Sequence, residues 1–261
     1  MQPLITIICP FTRPWAVDRW VENLESTNLD KERTNLCFII DCDEPRILRS
    51  LKKLQGYRSF DYIMNRDNQP NEVRIAVRRE RIATVMNQCK ELIEKTDGEI
   101  IIGLEDDTVF EGADFSRLYK MVELDEQVGF VEGVQCGRWG VKMVGVWSLD
   151  NVHAPRRIET LLPGDGYEEI DAGGYYGFAT KRELFMEHDH KWSGEVYGPD
   201  VAYGVALRQK GYRCFVDWET VFDHNDHNVL IRADENVTKI VYNLSEDGNW
   251  QRTDYENTPS N

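Results

Sequence analysis

Carboxylate and imidazole side chains follow three apolar segments of the sequence, at the points where buried strands would end. These residues are Asp41 and Asp43 after residues 36–40, Glu105–Asp107 after residues 99–104, and Asp223 with His224 after the last apolar run. Carboxylate oxygens suit Mg²⁺ or Mn²⁺, and an imidazole nitrogen tolerates Mn²⁺. A divalent ion held there would bind a diphosphate and neutralise charge on a leaving nucleotide. Each group alone is equally compatible with a polar turn, because Asp favours turns and caps.

Two further charged features are candidates for catalysis or phosphate binding. Asp200 follows a Gly-Pro dipeptide at the predicted start of a helix, where it serves either as a cap or as a general base. Arg78, Arg79 and Arg81 lie near the start of another predicted helix. They either decorate a solvated face or approach the phosphates of a ligand.

Alternating strand and helix patterns would position these groups. Strands are predicted at residues 4–9, 36–40, 62–64, 99–104, 128–134, 141–147 and 212–218. Helices are predicted at residues 16–24, 47–54, 75–93 and 200–210, and the glycine-rich stretch 164–177 is predicted as a loop leading into a short strand. This alternation favours an α/β fold with a parallel sheet, whose ligands bind beyond the carboxyl ends of the strands.

The composition indicates one cored domain with a strong negative charge. The 261 residues are 41% hydrophobic, and 46 acidic against 31 basic residues give a net charge of −15. This charge disfavours strong non-specific binding to nucleic acid or anionic membranes, although a local basic pocket is compatible with it. Six cysteines without a CxxC pair are expected to be buried thiols of a reducing compartment. No apolar run approaches the ~20 residues of a transmembrane helix and no signal peptide is recognised, so a cytoplasmic protein is expected.

The order of these features resembles that of the family 2 glycosyltransferases, which have the GT-A fold. The resemblance covers about residues 4–224. The matching segments are the loop 9–14, Asp41 and Asp43, the helix 78–87, the acidic motif 103–107, the glycine-rich segment 171–185 and the run 198–224. The resemblance implies a Rossmann-like α/β fold with a mixed, mostly parallel central sheet and flanking helices. Residues 1–231 would form this domain, and residues 232–261 would form a loosely attached polar tail.

The resemblance also implies roles for individual residues. It implies a UDP- or GDP-sugar as donor, Mn²⁺ or Mg²⁺ as cofactor, and an inverting transfer with Asp200 as general base. Residues implied to contact the nucleotide, the diphosphate or the sugar are Pro10, Thr12, Arg13, Asp41, Asp43, Arg78, Arg81 and Asp106. Residues implied to hold the metal are Glu105, Asp107 and His224, with Asp107 as the expected direct ligand.

Two departures from the family pattern leave alternatives open. The metal motif reads Glu-Asp-Asp instead of Asp-x-Asp, so the choice among Glu105, Asp106 and Asp107 stays open. The acidic pair that opens the last helix in the family is reduced here to Asp200, which leaves a retaining mechanism, or Glu195 as the base, as alternatives.

Two other functions use similar features, and the acceptor is undetermined. A sugar nucleotidyltransferase usually carries a Gly-rich loop after its first strand, where this sequence reads Pro-Phe-Thr-Arg-Pro. A non-catalytic protein of the same fold that binds nucleotide sugars or carbohydrates is the other alternative. The acceptor is a protein, glycan, lipid-linked sugar, small molecule or modified nucleobase. Candidates for an aromatic wall, with core packing as the alternative, are Trp139, Trp147, Tyr175, Tyr176 and Trp192.

Overall fold

Four parallel strands alternate with helices in the first half of the chain. The computed structural model describes residues 2–65, 75–135, 145–153, 157–192, 197–233, 239–245 and 249–253. The first elements are β1 (Ile5–Phe11), α1 (Val17–Ser26), β2 (Thr34–Ile40), α2 (Pro45–Leu51), β3 (Ser59–Met64), α3 (Ile75–Ile93) and β4 (Ile100–Leu104), with 3₁₀ turns at Lys31–Arg33 and Lys52–Leu54. Every residue of β2 is buried, as expected for a strand covered on both faces.

Strands of 2–14 residues and three helices make up the second half of the described chain. They are β5 (Thr108–Val109), α4 (Ser116–Leu124), β6 (Val128–Gln135), β7 (Val146–Leu149), β8 (Ile158–Thr160), β9 (Tyr167–Ile170), β10 (Ala172–Gly173), β11 (Gly177–Lys181), α5 (Arg182–Glu187), α6 (Pro199–Gln209), β12 (Arg213–Asp226), β13 (Val229–Ala233), β14 (Lys239–Leu244) and β15 (Trp250–Thr253). Pro199 occupies the first turn of α6, where its missing N–H has no cost.

Most of these strands join one mixed sheet. Among the described residues its order is β15-β14-β13-β12-β6-β11-β4-β1-β2-β3, while β5 and β9 pair with β12. Between β12 and β3, four of the six pairings are parallel, and only β11 runs against both of its neighbours. A smaller sheet has the order β10-β7-β8. The predicted α/β architecture, with a mostly parallel central sheet flanked by helices, is therefore confirmed.

Apolar side chains cover both faces of this sheet. On one face Trp20 packs edge-on against Phe11, Phe38 and Phe110, with ring centroids 5.2–5.5 Å apart. The other face contains a second cluster, in which helices α3, α5 and α6 contribute Met86, Phe185, Tyr203 and other side chains. Burial on both faces holds the strands in register, so the loops at their carboxyl ends are fixed relative to one another.

The structure departs from the sequence expectations in the second half. The segment 164–177, predicted as a loop, contains β9 and β10. The predicted domain boundary at residue 231 falls inside β13, and β14 and β15 extend the sheet from within the predicted tail. Polar edge strands are stabilised mainly by backbone hydrogen bonds to their neighbours. A search for apolar residues at strand spacing therefore does not detect them. The predicted strand 141–147 is represented by β7 from Val146 onward, and residues 141–144 lie outside the described part of the chain.

Candidate functional site

The carboxyl ends of β4 and β12 meet through the short strand β5. The chain leaves β4 at Leu104, passes through Glu105–Asp107 and enters β5, which pairs with β12 so that Thr108 lies opposite His224. A hydrogen bond of 2.8 Å from the Asn225 N–H to the Asp107 carbonyl oxygen reinforces this pairing. As a result, His224 Nε2 lies 3.1 Å from Asp107 Oδ2, although the two residues are 117 positions apart in sequence.

The loop after β1 is fastened to the same strand end. Asp106 Oδ2 accepts hydrogen bonds of 2.7 Å from the backbone N–H groups of Thr12 and Arg13. The Arg13 guanidinium forms an ion pair with Asp106 and reaches Asp107 Oδ2 at 3.1 Å. The side chain of Asp106 is only 1% exposed, and both its oxygens already accept protein donors. Asp106 therefore fixes the position of the loop, and its predicted contact with the ribose or sugar stays a prediction.

A second hydrogen-bonded network engages Asp41 at the end of β2. Its carboxylate forms an ion pair with Arg81 from α3 and accepts a hydrogen bond of 3.1 Å from Asn65. Asn65 in turn exchanges hydrogen bonds of 2.8 and 3.0 Å with Gln88, which also lies on α3. This network joins α3 to the ends of β2 and β3, so Asp41 and Arg81 are occupied with each other. Asp43, two residues further on, is exposed to solvent.

A cavity of about 420 Å³ opens beside the acidic strand end. It is lined by Arg78, Arg79, Ile82, Glu105, Trp147, Tyr197, Gly198, Pro199, Asp200 and Val201. Cavities of this size accommodate a small-molecule ligand, and aromatic walls with a few polar groups are typical of such sites. The cavity therefore combines the start of α3, the end of β4, the strand β7 and the start of α6. Asp107 and His224 lie outside its lining.

Burial and charge act on the two carboxylates of this cavity. Burial raises the pKa of Glu105 to about 7, with Asp107 as the next cause and Arg13 opposing it. Burial also raises the pKa of Asp200, whereas the backbone N–H of Val201 and the guanidinium of Arg79 lower it. A buried carboxyl group with an elevated pKa is a stronger proton acceptor than an exposed aspartate.

A buried hydrogen-bond bridge fixes the beginning of α6. The hydroxyl group of Tyr175 lies 3.0 Å from the carbonyl oxygen of Pro199 and 2.9 Å from His190 Nδ1. Because a carbonyl only accepts, the hydroxyl donates to Pro199, and His190 Nδ1 must carry the proton donated to the Tyr175 oxygen. Asn87 on α3 donates a hydrogen bond of 2.6 Å to the carbonyl oxygen of His190. This bridge connects α3 to the residue that precedes Asp200.

The Tyr175→Phe substitution should weaken this bridge and move Asp200. We expect the free energy of unfolding to fall by about 1–3 kcal/mol, because Pro199 and His190 lose a buried partner. Tyr203→Phe is the matched control. Tyr203 lies on α6, the helix that carries Asp200, and its buried hydroxyl is 2.7 Å from the Thr180 hydroxyl. Denaturant unfolding and turnover are measured for both. The positioning role is supported if both variants lose similar stability but only Tyr175→Phe loses turnover. Equal turnover in the two variants contradicts it.

Sequence reasoning also missed Glu132, a fully buried carboxyl group on β6. Its Oε2 accepts a hydrogen bond of 2.8 Å from the Gly174 N–H. Burial raises its pKa well above the ordinary glutamate value. A side chain at Gly173 would overlap the Glu132 carboxyl group, which accounts for the glycine at that position. A single polar residue inside an otherwise apolar strand, such as 128–134, was the available signal.

The aromatic candidates divide between core and cavity. Tyr175 and Tyr176 are buried in the core, whereas Trp147 lines the cavity. Trp192 lies beneath the guanidinium of Arg79, 5.6 Å from ring centroid to Cζ, and donates a hydrogen bond of 3.1 Å to the Tyr197 carbonyl oxygen. The position of Trp139, like that of Glu195, falls outside the described residues.

Two of the predicted metal ligands, Asp107 and His224, are in contact. Within the described residues, no three or more His, Cys, Asp or Glu side chains form a group that would enclose a metal ion. Asp107 and His224 are nevertheless adjacent at 3.1 Å, in a setting where Glu105 and Asp106 concentrate negative charge. Mg²⁺ in particular is commonly held by one or two protein groups together with water and substrate phosphates. An ion held by this pair would be shared with a phosphate ligand and would lie beside Arg13, whose guanidinium contacts Asp107 Oδ2 at 3.1 Å.

Comparison with known proteins identifies the fold. No model of a protein family matches the sequence, and no curated protein matches it. Among solved structures, the protein is similar to the mannosyltransferase PcManGT from Pyrobaculum calidifontis, solved in complex with GDP-Man and Mn²⁺, with 14% identity and a TM-score of 0.56. The match covers 85% of this chain and 56% of the mannosyltransferase chain, so this chain corresponds to little more than half of it. A197 from STIV matches with 15% identity over 96% of this chain and 94% of A197, with a TM-score of 0.48.

The protein therefore has a GT-A-type fold. The acidic end of β4, the loop after β1 and the cavity beside α6 all lie where an α/β sheet of this kind binds its ligands. No helix among the described residues is long and apolar enough to cross a membrane.

Proposed function

We propose that the protein is a metal-dependent glycosyltransferase that moves a sugar from a nucleotide-diphosphate donor to an acceptor hydroxyl. The observation that carries this proposal is the pairing of Asp107 with His224 at the end of β4, next to a cavity that contains Asp200. The similarity in fold to a mannosyltransferase supports it. A binding protein would not need a carboxyl group with a raised pKa beside the cavity, whereas a transferase needs a base there.

The donor would occupy the strand ends between the β1 loop and His224. Pro10, Thr12 and Arg13 would contact the nucleotide, and the exposed Asp43 is available for the base or ribose. Asp107 and His224 would hold Mn²⁺ or Mg²⁺, with Glu105 nearby. When bound, the ion supplies a positive charge that stabilises a diphosphate leaving group. Arg13 adds a second positive charge, since its guanidinium already reaches Asp107 at 3.1 Å.

The acceptor would enter the cavity and present its hydroxyl to Asp200. The Asp200 carboxylate takes the hydroxyl proton as the acceptor oxygen attacks the anomeric carbon of the donor sugar. The bond from that carbon to the diphosphate oxygen breaks, and the electron pair leaves with the nucleoside diphosphate. A single displacement of this kind inverts the anomeric carbon. The bridge through Tyr175 and His190 holds the start of α6, so Asp200 meets the acceptor in a fixed orientation.

Titration calorimetry with UDP and GDP tests the donor site. We expect tight binding of one of them in the presence of Mn²⁺ and much weaker binding in the presence of a chelator. A screen of nucleotide sugars with Mn²⁺, read as release of nucleoside diphosphate, then identifies the sugar. Equal affinity with and without the ion contradicts the metal role. Binding of a nucleotide sugar with no release under any acceptor condition favours a non-catalytic protein.

A further inference from the structure

We infer that the acceptor carries a negatively charged group, a phosphate or a carboxylate, which Arg78 and Arg79 bind beside Asp200. This inference rests on the proposed function, since it names the substrate class of the cavity described above. The cavity lining places both arginines in the same space as Asp200, Trp147 and Tyr197. The arginine pair and these aromatic walls define the acceptor subsite.

Arg78 is a solvent-exposed side chain on the rim of the cavity. Within the described part of the chain it forms no hydrogen bond or salt bridge. A guanidinium kept in such a place, on the rim of a cavity, is suited to a ligand that is itself negative.

Two other arginines near the site, Arg13 and Arg81, form ion pairs outside the cavity. Arg13 forms ion pairs with Asp106 and Asp107, on the donor side of the strand end. Arg81 forms an ion pair with Asp41 at the end of β2. Arg79 lies over the Trp192 ring, and Arg78 precedes it in the same helical turn. Among the described residues, Arg78 and Arg79 are the arginines that line the cavity.

The guanidinium groups of Arg79 and Arg78 act on the proposed base, because both lower the pKa of Asp200. Asp200 also lines the same cavity as Arg78 and Arg79. An anion bound to them would belong to the molecule whose hydroxyl Asp200 deprotonates.

The charge balance of the cavity requires such a pair for an anionic acceptor. Glu105 and Asp200 would repel a phosphate or carboxylate that entered alone. Two guanidinium groups offset this repulsion and bind the anion through paired N–H donors. Trp147 and Tyr197, both half-buried, provide apolar faces for the remainder of the ligand. A cavity of about 420 Å³ has room for a single sugar with one charged substituent.

Binding of three matched probes tests the subsite: glucose 6-phosphate, glucuronate and glucose, each added at millimolar concentration. The measurement is ligand-observed NMR on the full chain in Mg²⁺, first without and then with the nucleoside diphosphate that binds best. We expect the two anionic probes to bind at least about ten times more tightly than glucose. Arg78→Gln should lower the affinity for the anionic probes by about ten- to a hundredfold. The matched control is Arg58→Gln, because Arg58 lies before β3 in an exposed ion pair with Asp97.

The possible outcomes separate this inference from the proposed function. Equal binding of glucose and the anionic probes, or no binding of either anion, overturns the inference. Displacement of the anions by the nucleoside diphosphate also overturns it, because Arg78 would then serve the donor diphosphate as the sequence resemblance implied. In each of these cases metal-dependent nucleotide binding by the unmodified protein still reports on the proposed function. Loss of metal-dependent nucleotide binding in the unmodified protein contradicts the proposed function itself.

Discussion

The Asp200→Asn substitution is expected to lower kcat by about 10²–10⁴, the usual contribution of a general base. The N-cap of α6 is Gly198, so Asp200 lies inside the first turn and does not cap the helix as the sequence alternative supposed. Asparagine has nearly the same shape as aspartate, so α6 should begin at the same residue. The amide cannot accept the proton of the acceptor hydroxyl. Donor affinity and the melting temperature should therefore remain close to those of the unmodified protein. Steady-state turnover with the identified donor, together with calorimetry and a thermal melt, measures all three.

The pH profile provides a second reading of the same substitution. Burial raises the pKa of Asp200, so activity of the unmodified protein should fall with decreasing pH through a pKa above the ordinary aspartate range. This acidic limb should be absent from the residual activity of the variant. Asp189→Asn is the surface control, since Asp189 is exposed and pairs with Lys191 at 3.3 Å. Near-normal turnover in Asp200→Asn would leave Asp200 as a structural residue in the first turn of α6, with a retaining mechanism or another base in its place.

The Asp107→Ala substitution should remove the metal-dependent part of nucleotide binding. We expect at least about a 100-fold loss of Mn²⁺-dependent affinity, because even indirect partners of a metal ligand contribute 10- to 100-fold. Asp107 is adjacent to both His224 and Arg13, so its loss changes the whole donor side of the site. Calorimetry with and without Mn²⁺ measures the effect on both the metal-dependent and the residual affinity.

Asp223→Asn is the matched control for this experiment. Asp223 neighbours His224 on β12, but its carboxylate pairs with Arg232 at 2.8 Å. It should retain metal-dependent binding, whereas His224→Ala should share the defect of Asp107→Ala. A melting temperature measured in metal-free buffer separates a folding defect from a binding defect. Full metal-dependent affinity in a folded Asp107→Ala protein would exclude Asp107 as a ligand.

Much of the fold was predictable from apolar periodicity. The strands β1, β2 and β4 are continuous apolar runs, and α3 repeats its apolar residues at helical spacing, so local sequence reports their type. The strands β9, β14 and β15 were not predicted. Their stability depends on backbone pairing with β12 or with one another at the sheet edge, a long-range interaction that leaves a weak local pattern.

The sequence predicted several residues of the candidate site, but it did not predict which partners those residues contact. Asp107, His224 and Asp200 were selected from strand ends and a helix start, and the structure brings the first two to 3.1 Å. The engagement of Asp41 with Arg81, and of Asp106 with the backbone of the β1 loop, was not predictable. Nothing in the local sequence distinguishes a carboxylate that binds a ligand from one that binds its own loop.

By itself, the sequence determined the order of strands and helices and the chemistry available at their ends, because both depend on residue type and short-range spacing. Only the tertiary structure decided which of these groups face one another. The β5–β12 pairing joins Asp107 to His224, and the Tyr175 bridge joins α3 to the start of α6. Both contacts depend on strands and helices far apart in the chain, whose relative positions are set by packing of the whole core.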